Sequence, residues 1–503
     1  MLQCHWRLVC LTIFTLATPP ALLAQHSQHE GSGKTYDLAI VGATLIDGNG
    51  GAPRPGTTIV VRDGRIAAVT PDGDAEVPAG AKRIDADGKY VIPGLADMHV
   101  HFSLGLPLPR LENETDIVLA RKLYYGITTI LAIGASDACP GSVHVHRARR
   151  AAGELQAPYI YGTGGHLTLH GTHPIYTVFP PPIRQQADSL AAETPANEPV
   201  DLFPLGIGLS IVRTAEAARK AVRERAEAGM DAIKITVESG PTPFGDDHPQ
   251  MSVEMIQSIV EEAAKNGLSV FAHITSLDEL QEALEGGTAG VVHTVWDRPF
   301  PDAELADRMS ARSFYVIPTT TLYRGTVSLF YIDEPIDLDD PFLRETVSEK
   351  EVASLRDPEL ITRFRSRRQR HLASVENHER AIQQHVDELL ANVGMLHEHG
   401  VPIVLGTDTG TLFSFAGYSV HDELEFLVEA GLTPGEALES ATRLAAGMLD
   451  AEDEFGTIDA GKRADLLILG ANPLDDIRNT RSLETVIAEG RVVDRDALPV
   501  GIP

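Results

Sequence analysis

The stretch VIPGLADMHVHF, residues 91–102, sets His99 and His101 one residue apart behind a Pro-Gly pair. Side chains on a strand alternate, so positions two apart face the same way. On a core face, two unpartnered imidazoles are costly. On a face that carries a site, the same spacing lets one strand supply two metal ligands. The rest of the chain decides between these readings.

Downstream, apolar runs of strand length alternate with helical patterns: GLADMHVHF, ITTILAIG, YIYGTG, AIKITV, LSVFAHI, AGVVHTV, FYVIPTTT and VPIVLGTD, eight in all. Continuous apolar runs followed by helices are the pattern of parallel strands covered on both faces. Helix starts are marked as well. SLDE at Ser276–Glu279 is a capping box, and TPGE at Thr433–Glu436 adds a proline at the first helical position. Eight such units over about 350 residues predict an α/β fold, a (β/α)8 TIM barrel with insertions.

Two connections are oversized. One, from about Gly165 to Ser210, is rich in proline and histidine. The other, about Leu322–Glu398, includes ITRFRSRRQRHLASVENHERAIQQHVDELL, which reads as helical. Loops of this length at an active face commonly wall or cover a substrate. Both are expected to shape the pocket without being needed for the barrel to fold.

Outside the alternating region the pattern changes. YDLAIVGATLIDGNGG and GTTIVVRDGRIAAVT near the start, and FGTIDAGKRADLLILGANP and LETVIAEGRVVDRD near the end, are short β-rich runs broken by glycine turns. The two ends are expected to meet as one small β domain. Residues 25–34, QHSQHEGSGK, read as a flexible linker. Before them, MLQCHWRLVCLTIFTLATPPALLAQ carries Arg7, a short apolar run and small residues near Ala24. That is the pattern of a signal peptide over residues 1–24, and Pro19 and Pro20 break the run too early for a membrane span. The mature protein is expected to be periplasmic or secreted, with no membrane attachment after cleavage.

Composition bounds the rest. The chain has 503 residues, 43% hydrophobic and 22% charged, which is ordinary for a globular protein and long enough for more than one domain. A formal charge of −29 argues against a nucleic-acid or anionic-membrane partner. Of the three cysteines, Cys4 and Cys10 lie in the leader, so a mature chain with Cys139 alone forms no intramolecular disulfide.

In a TIM barrel, chemistry sits at the carboxyl ends of the strands. This chain places His99 and His101 there on the first strand, Lys234 on the fourth, His273 on the fifth, His293 on the sixth and Asp408 on the eighth. Any one of these histidines alone reads as a satisfied core residue. Six such residues on five strands at one end do not read that way. Four histidines, a carboxylate and a lysine suit two divalent ions. A neutral lysine amine can take up CO2 to become a carbamate, whose two oxygens can bridge cations about 3.5–4 Å apart.

PGLADMHVH, AIKI, FAH, VVH and GTDTG, with the terminal GTIDAGKRADLLIL, resemble the amidohydrolase superfamily across nearly the whole mature chain. The branch is most similar to imidazolonepropionase-like and Xaa-Pro-dipeptidase-like hydrolases. The resemblance implies a barrel over residues 94–450 and a composite β-sandwich from residues 35–93 and 451–503. It implies two divalent metals, Zn2+ above all, bridged by carboxylated Lys234. By that resemblance His99, His101 and Asp408 bind one metal and His273 and His293 the other, while Asp408 also moves the proton of a bridging hydroxide. His166, in GTGGHLTLHGTH, stands where related enzymes have a Gly-Gly-His segment and is expected to contact the substrate carbonyl. His170 and His173 are further candidates for substrate contact, and His421 reads as a helix-cap or supporting group. Dipeptidase-like relatives often carry a tyrosine two residues after the fifth-strand histidine, and this chain has Thr275.

The expectation is therefore an exported hydrolase cleaving an amide or peptide-like C–N bond of a small molecule. A lactonase or phosphotriesterase using the same centre is the alternative. A mononuclear deaminase has no use for Lys234. Oligomeric state is left open, including a homo-oligomer.

Overall fold

The computed structural model describes residues 38–74, 77, 79–103, 114–133, 140–239, 248–300, 303–330, 333–366 and 378–501. The leader, the linker and Cys139 lie outside these.

The chain enters through five strands: β1 (Leu38–Leu45), β2 (Arg54–Arg62), β3 (Arg65–Pro71), β4 (Lys82–Asp85) and β5 (Tyr90–Pro93). A parallel series follows: β6 (Leu95–Val100), β7 (Ile127–Ala132), β8 (Tyr159–Gly162) and β9 (His166–Thr168). Next come β10 (Val200–Asp201), β11 (Leu209–Ile211), β12 (Ala232–Thr236), β13 (Ser269–His273), β14 (Gly290–Val292) and β15 (Tyr315–Ile317). The chain leaves through β16 (Leu466–Leu469), β17 (Leu483–Ala488) and β18 (Arg491–Val492).

The two ends of the chain share one mixed eight-stranded sheet, ordered β18-β17-β16-β5-β1-β2-β3 with β4 beside β1. Ile40, Ile59, Val61, Val91, Leu466, Ile468 and Ile487 bury their side chains in a common cluster of its own.

Between the ends, β6-β7-β8 form a three-stranded parallel sheet, and β11-β9-β12-β13-β14-β15 are the parallel part of a seven-stranded one. β6, β7 and β12 are buried at every position, as strands covered on both faces should be. Residues 402–409 run between the two sheets. Val404 N donates to Val316 O on one side, and Met98 N to Leu405 O and Asp408 N to His99 O on the other. Asp231 N donates to Gly162 O, linking β8 to the start of β12.

Seven of the eight expected strands are regular. The eighth, at 401–408, makes only isolated bridges at Ile403 and Thr409. Its backbone turns into the left-handed region at Asp408, with φ 53°, and cannot continue a pleated ladder. The helix starts at Ser276 and Thr433 both carry complete capping boxes.

The two insertions differ in kind. The first contains strands as well as loop: β9 and β11 pair in parallel and extend the sheet beyond β12. It keeps a small core of its own, Ile175, Ala187, Ala191, Val200, Leu202, Ile207, Leu209 and Ile211. The second is mostly helical, with Pro341–Arg344, Glu349–Leu355, Pro358–Ser366 and His378–Glu398. Leu343, Val352, Leu355, Leu389 and Val393 bury into the main core itself. A buried ion pair, Arg121 Nη2 to Glu351 Oε1 at 2.9 Å, adds to that attachment. The second insertion is thus packed into the main core, whereas the first keeps a cluster of its own.

Candidate metal centre

Each strand end delivers its side chain through local geometry. His99 and His101 follow the pleat of β6 inward. GTDTG, residues 406–410, must press against them. A Cβ at Gly406 would stand 2.9 Å from His99 Cβ and 2.5 Å from Ile317 Cγ2, and one at Gly410 2.5 Å from His101 Cβ. Only glycine permits that approach. His293 (φ 69°), Thr319 (φ 51°) and Asp408 (φ 53°) all hold left-handed backbone, a strain that concentrates where side chains must be aimed.

Asp408 Oδ1 lies 2.6 Å from His101 Nε2 and 3.3 Å from His99 Nε2. His293 closes this group, its ring centroid 5.1 Å from that of His99. Thr319 Oγ1 holds His293 Nδ1 at 2.6 Å and so sets the ring's rotation. His273 stands 4.5 Å from His293, ring to ring, at 80°. Its Nε2 is 2.6 Å from Glu238 Oε2, and His173 Nδ1 lies 3.3 Å from the same oxygen. Lys234 is fully buried on β12, and its Nζ has no hydrogen-bond partner.

Supporting groups fix this arrangement from behind. Asp97 accepts from Thr407 Oγ1 (2.7 Å) and N (3.1 Å), and buried Lys122 reaches both Asp97 and Thr409 Oγ1. Glu423 accepts from Thr320 N and Thr321 N at 2.8 Å each, and burial pushes its carboxyl up to about 7.

Electrostatics follow from burial. Desolvation, then the Lys234 charge, holds His99 and His166 well below the usual imidazole range. Desolvation and then His273 do the same for His293. The rings are thus neutral near pH 7, the form that binds metal. Desolvation draws Lys234 down to about 7, against the opposing pull of Asp408.

These residues fit a divalent cation. Buried polar atoms without partners are costly, yet His99 Nδ1, His166 Nε2 and Lys234 Nζ are all of that kind. Neutral imidazoles beside carboxylates are the donors that zinc and its neighbours accept.

The structure brings His99, His101, Lys234, His273, His293, Asp408, His166 and His173 to one end of the strands. His170 does not join them: it is half exposed and bonds Asp188 Oδ1 (2.9 Å) and the Tyr176 hydroxyl (3.0 Å). His421 is buried elsewhere, between Thr480 Oγ1 and Tyr125 O. The Thr275 hydroxyl is engaged by Glu279, at 3.2 Å.

Two further residues carry no signal in the motifs. Glu238 sits four positions after Lys234, with its side chain fully buried. Its strand-like spacing from Lys234 was the available clue. Tyr323, from the second insertion, is buried against Trp296 with ring centroids 4.9 Å apart. Burial, then the nearby Glu238 and Asp408 carboxylates, raises its phenol well above the usual range. A tyrosine thus reaches the centre from an element other than the one that carries Thr275.

Comparison with known proteins places this geometry among relatives. A family model described as the amidohydrolase family matches residues 90–493. Ochratoxinase of Aspergillus niger is 25% identical over 461 residues, covering 88% of this chain and 83% of that protein. A provisionally assigned prolidase from Bifidobacterium longum superposes with TM-score 0.66 at 27% identity, covering 92% of this chain and 98% of its own. Molinate hydrolase gives TM-score 0.67 at 25% identity, covering 94% and 97%. Similarity of that extent implies a TIM-barrel-like α/β fold.

Proposed function

This chain belongs to the amidohydrolase family, and from that premise we propose that it is a metal-dependent hydrolase cleaving an amide or peptide-like C–N bond. The observation that carries the reading is Lys234: a buried amine without a partner, at the same strand ends as the histidines and Asp408. A carbamate on Lys234 would turn a costly buried group into a two-oxygen ligand bridging two ions. His99, His101 and Asp408 would hold one ion, and His273 and His293 the other, with Zn2+ the expected metal. Bound divalent ions supply polarisation of the scissile carbonyl and a water that ionises near neutral pH.

The protein's own groups do the rest. Asp408 accepts the proton of the attacking water and delivers it to the leaving nitrogen. Its strained backbone and the two histidines at its oxygen keep that carboxylate aimed. His166, with Nδ1 3.4 Å from Thr236 Oγ1, turns its Nε2 toward the carbonyl oxygen as charge develops there. The rings of Trp296 and Tyr323 offer a wall for the acyl or amine side of the substrate, and the Tyr323 hydroxyl donates a hydrogen bond to it. Relatives named as a prolidase and as ochratoxinase support the C–N assignment.

The same reading includes a closed (β/α)8 barrel over residues 94–450. It is supported by the hydrogen bonds of residues 402–409 to both parallel sheets. It also includes a composite β-sandwich from 35–93 and 451–503, supported by the separate apolar cluster of the shared sheet. The apolar run ending near Ala24 supports cleavage there and export to the periplasm or beyond. No helix among the described residues is long and apolar enough to cross a membrane.

A substrate panel tests the function. Purified enzyme reconstituted with zinc, cobalt or manganese is assayed on N-acyl amino acids, dipeptides, lactones and phosphotriesters. Hydrolysis of the amides, abolished by a chelator, is expected. Turnover confined to lactones or phosphotriesters would contradict it.

A further inference from the structure

We propose that Glu238 is itself a metal ligand, and that with His173 and His273 it forms a second set of two histidines and one carboxylate opposite His99, His101 and Asp408. This rests on the metal-centre reading above and adds His173 and Glu238 to the ion that His273 holds there.

The argument starts from the pleat. Val237 N still donates to His273 O, so the chain stays extended past the end of β12. Alternation then turns Glu238 to the same side as Lys234 and Thr236. A carboxylate buried to that degree is costly without a cation or strong donors around it.

The contacts repeat those of the half-site built around Asp408. There, one carboxylate oxygen faces two histidine nitrogens at 2.6 and 3.3 Å, from His101 and His99. Here, one oxygen of Glu238 faces two histidine nitrogens at 2.6 and 3.3 Å, from His273 and His173. The His173 and His273 rings stack at 4.4 Å and 18°, which sets their nitrogens side by side toward that oxygen. The donor atoms of His173, Glu238 and His273 all lie within 4.8 Å of one another, as do those of His99, His293 and Asp408. Two imidazoles and a carboxylate are an established donor set for a catalytic divalent ion with an open position.

A carboxylate can instead act on a metal-bound histidine by accepting from the ring's far nitrogen, fixing its orientation. One histidine would satisfy that role. Glu238 gathers two, from separate parts of the chain, onto one oxygen. That convergence favours a ligand.

Zinc titration of the metal-free protein, followed calorimetrically, tests the proposal together with a crystal structure of the zinc-loaded wild type. Wild type is expected to take two ions per chain. Glu238→Gln is expected to keep one tight site and to bind the second at least about 10-fold more weakly. In the wild-type crystal a Glu238 oxygen should lie about 2.0–2.2 Å from zinc, a result that does not depend on the variant folding. Two ions bound by Glu238→Gln with wild-type affinity would overturn the proposal. So would a zinc-loaded structure in which Glu238 contacts only the His273 ring. A wild type that takes up no zinc would overturn the metal-centre reading itself, which is a separate failure.

Discussion

Asp408 combines three features: left-handed backbone, two histidine nitrogens at one oxygen, and a neighbouring Gly410 that fits only because it lacks a side chain. Asp408→Asn keeps an oxygen that can face the ions but loses the ability to accept a proton. The expected outcome is retention of most metal with kcat lower by about 10²–10⁴-fold, measured by metal analysis and steady-state kinetics on one sample. Tyr323→Phe removes only a hydroxyl from the wall of the site. It should leave metal content unchanged and lower kcat/KM by about 10-fold, roughly one lost hydrogen bond to the substrate. The six residues in the short motifs were legible because histidine, lysine and aspartate at strand ends break an apolar pattern. Glu238 and Tyr323 were not. Glu238 lies in a polar run that reads as loop, and Tyr323 reaches the centre only because the segment after β15 folds back over it.

At the scale of elements, the insertions are held by different cores. Helix Pro181–Glu193 packs in the small cluster with Leu202 and Leu209, whereas Glu349–Leu355 is tied to the main core and to Arg121. Opening free energies should follow that division. Hydrogen exchange followed by mass spectrometry should show the first helix exchanging through local opening, well before the second. Equal protection of both would contradict the packing account. The elements themselves were largely readable, because long apolar runs and capping residues are local signals. β9 was not, since three residues within GGHLTLHGTH are too few to show a period and are ordered by pairing with β12. The dependence of the second insertion on the core was equally hidden, because sequence length says nothing about which surface a helix covers.

For the whole molecule, acid sensitivity follows from histidines buried neutral. Burial, then Arg481, lowers His421 to about 3, while the unfolded chain titrates near 6.5. The unfolded state thus binds the extra proton between these values. His421 therefore contributes stability that is fully present above about pH 6.5 and is lost as pH falls toward 3, amounting to roughly 2 kcal/mol by pH 5. Asp422, raised by burial to about 6 despite Arg481, acts in the opposite direction. The comparison must therefore be differential. In metal-free protein, the drop in Tm from pH 7.5 to pH 5 should be smaller for His421→Asn than for wild type. Equal drops would remove His421 from the account.

The central claim is that Lys234 works as a carbamate joining two metal ions. Its most direct test is 13C NMR of the zinc-reconstituted enzyme prepared in 13C-bicarbonate. A single protein-bound carbamate resonance is predicted in the active wild type, absent from Lys234→Ala prepared in the same way. An active enzyme carrying two metal ions and no carbamate resonance would contradict the account.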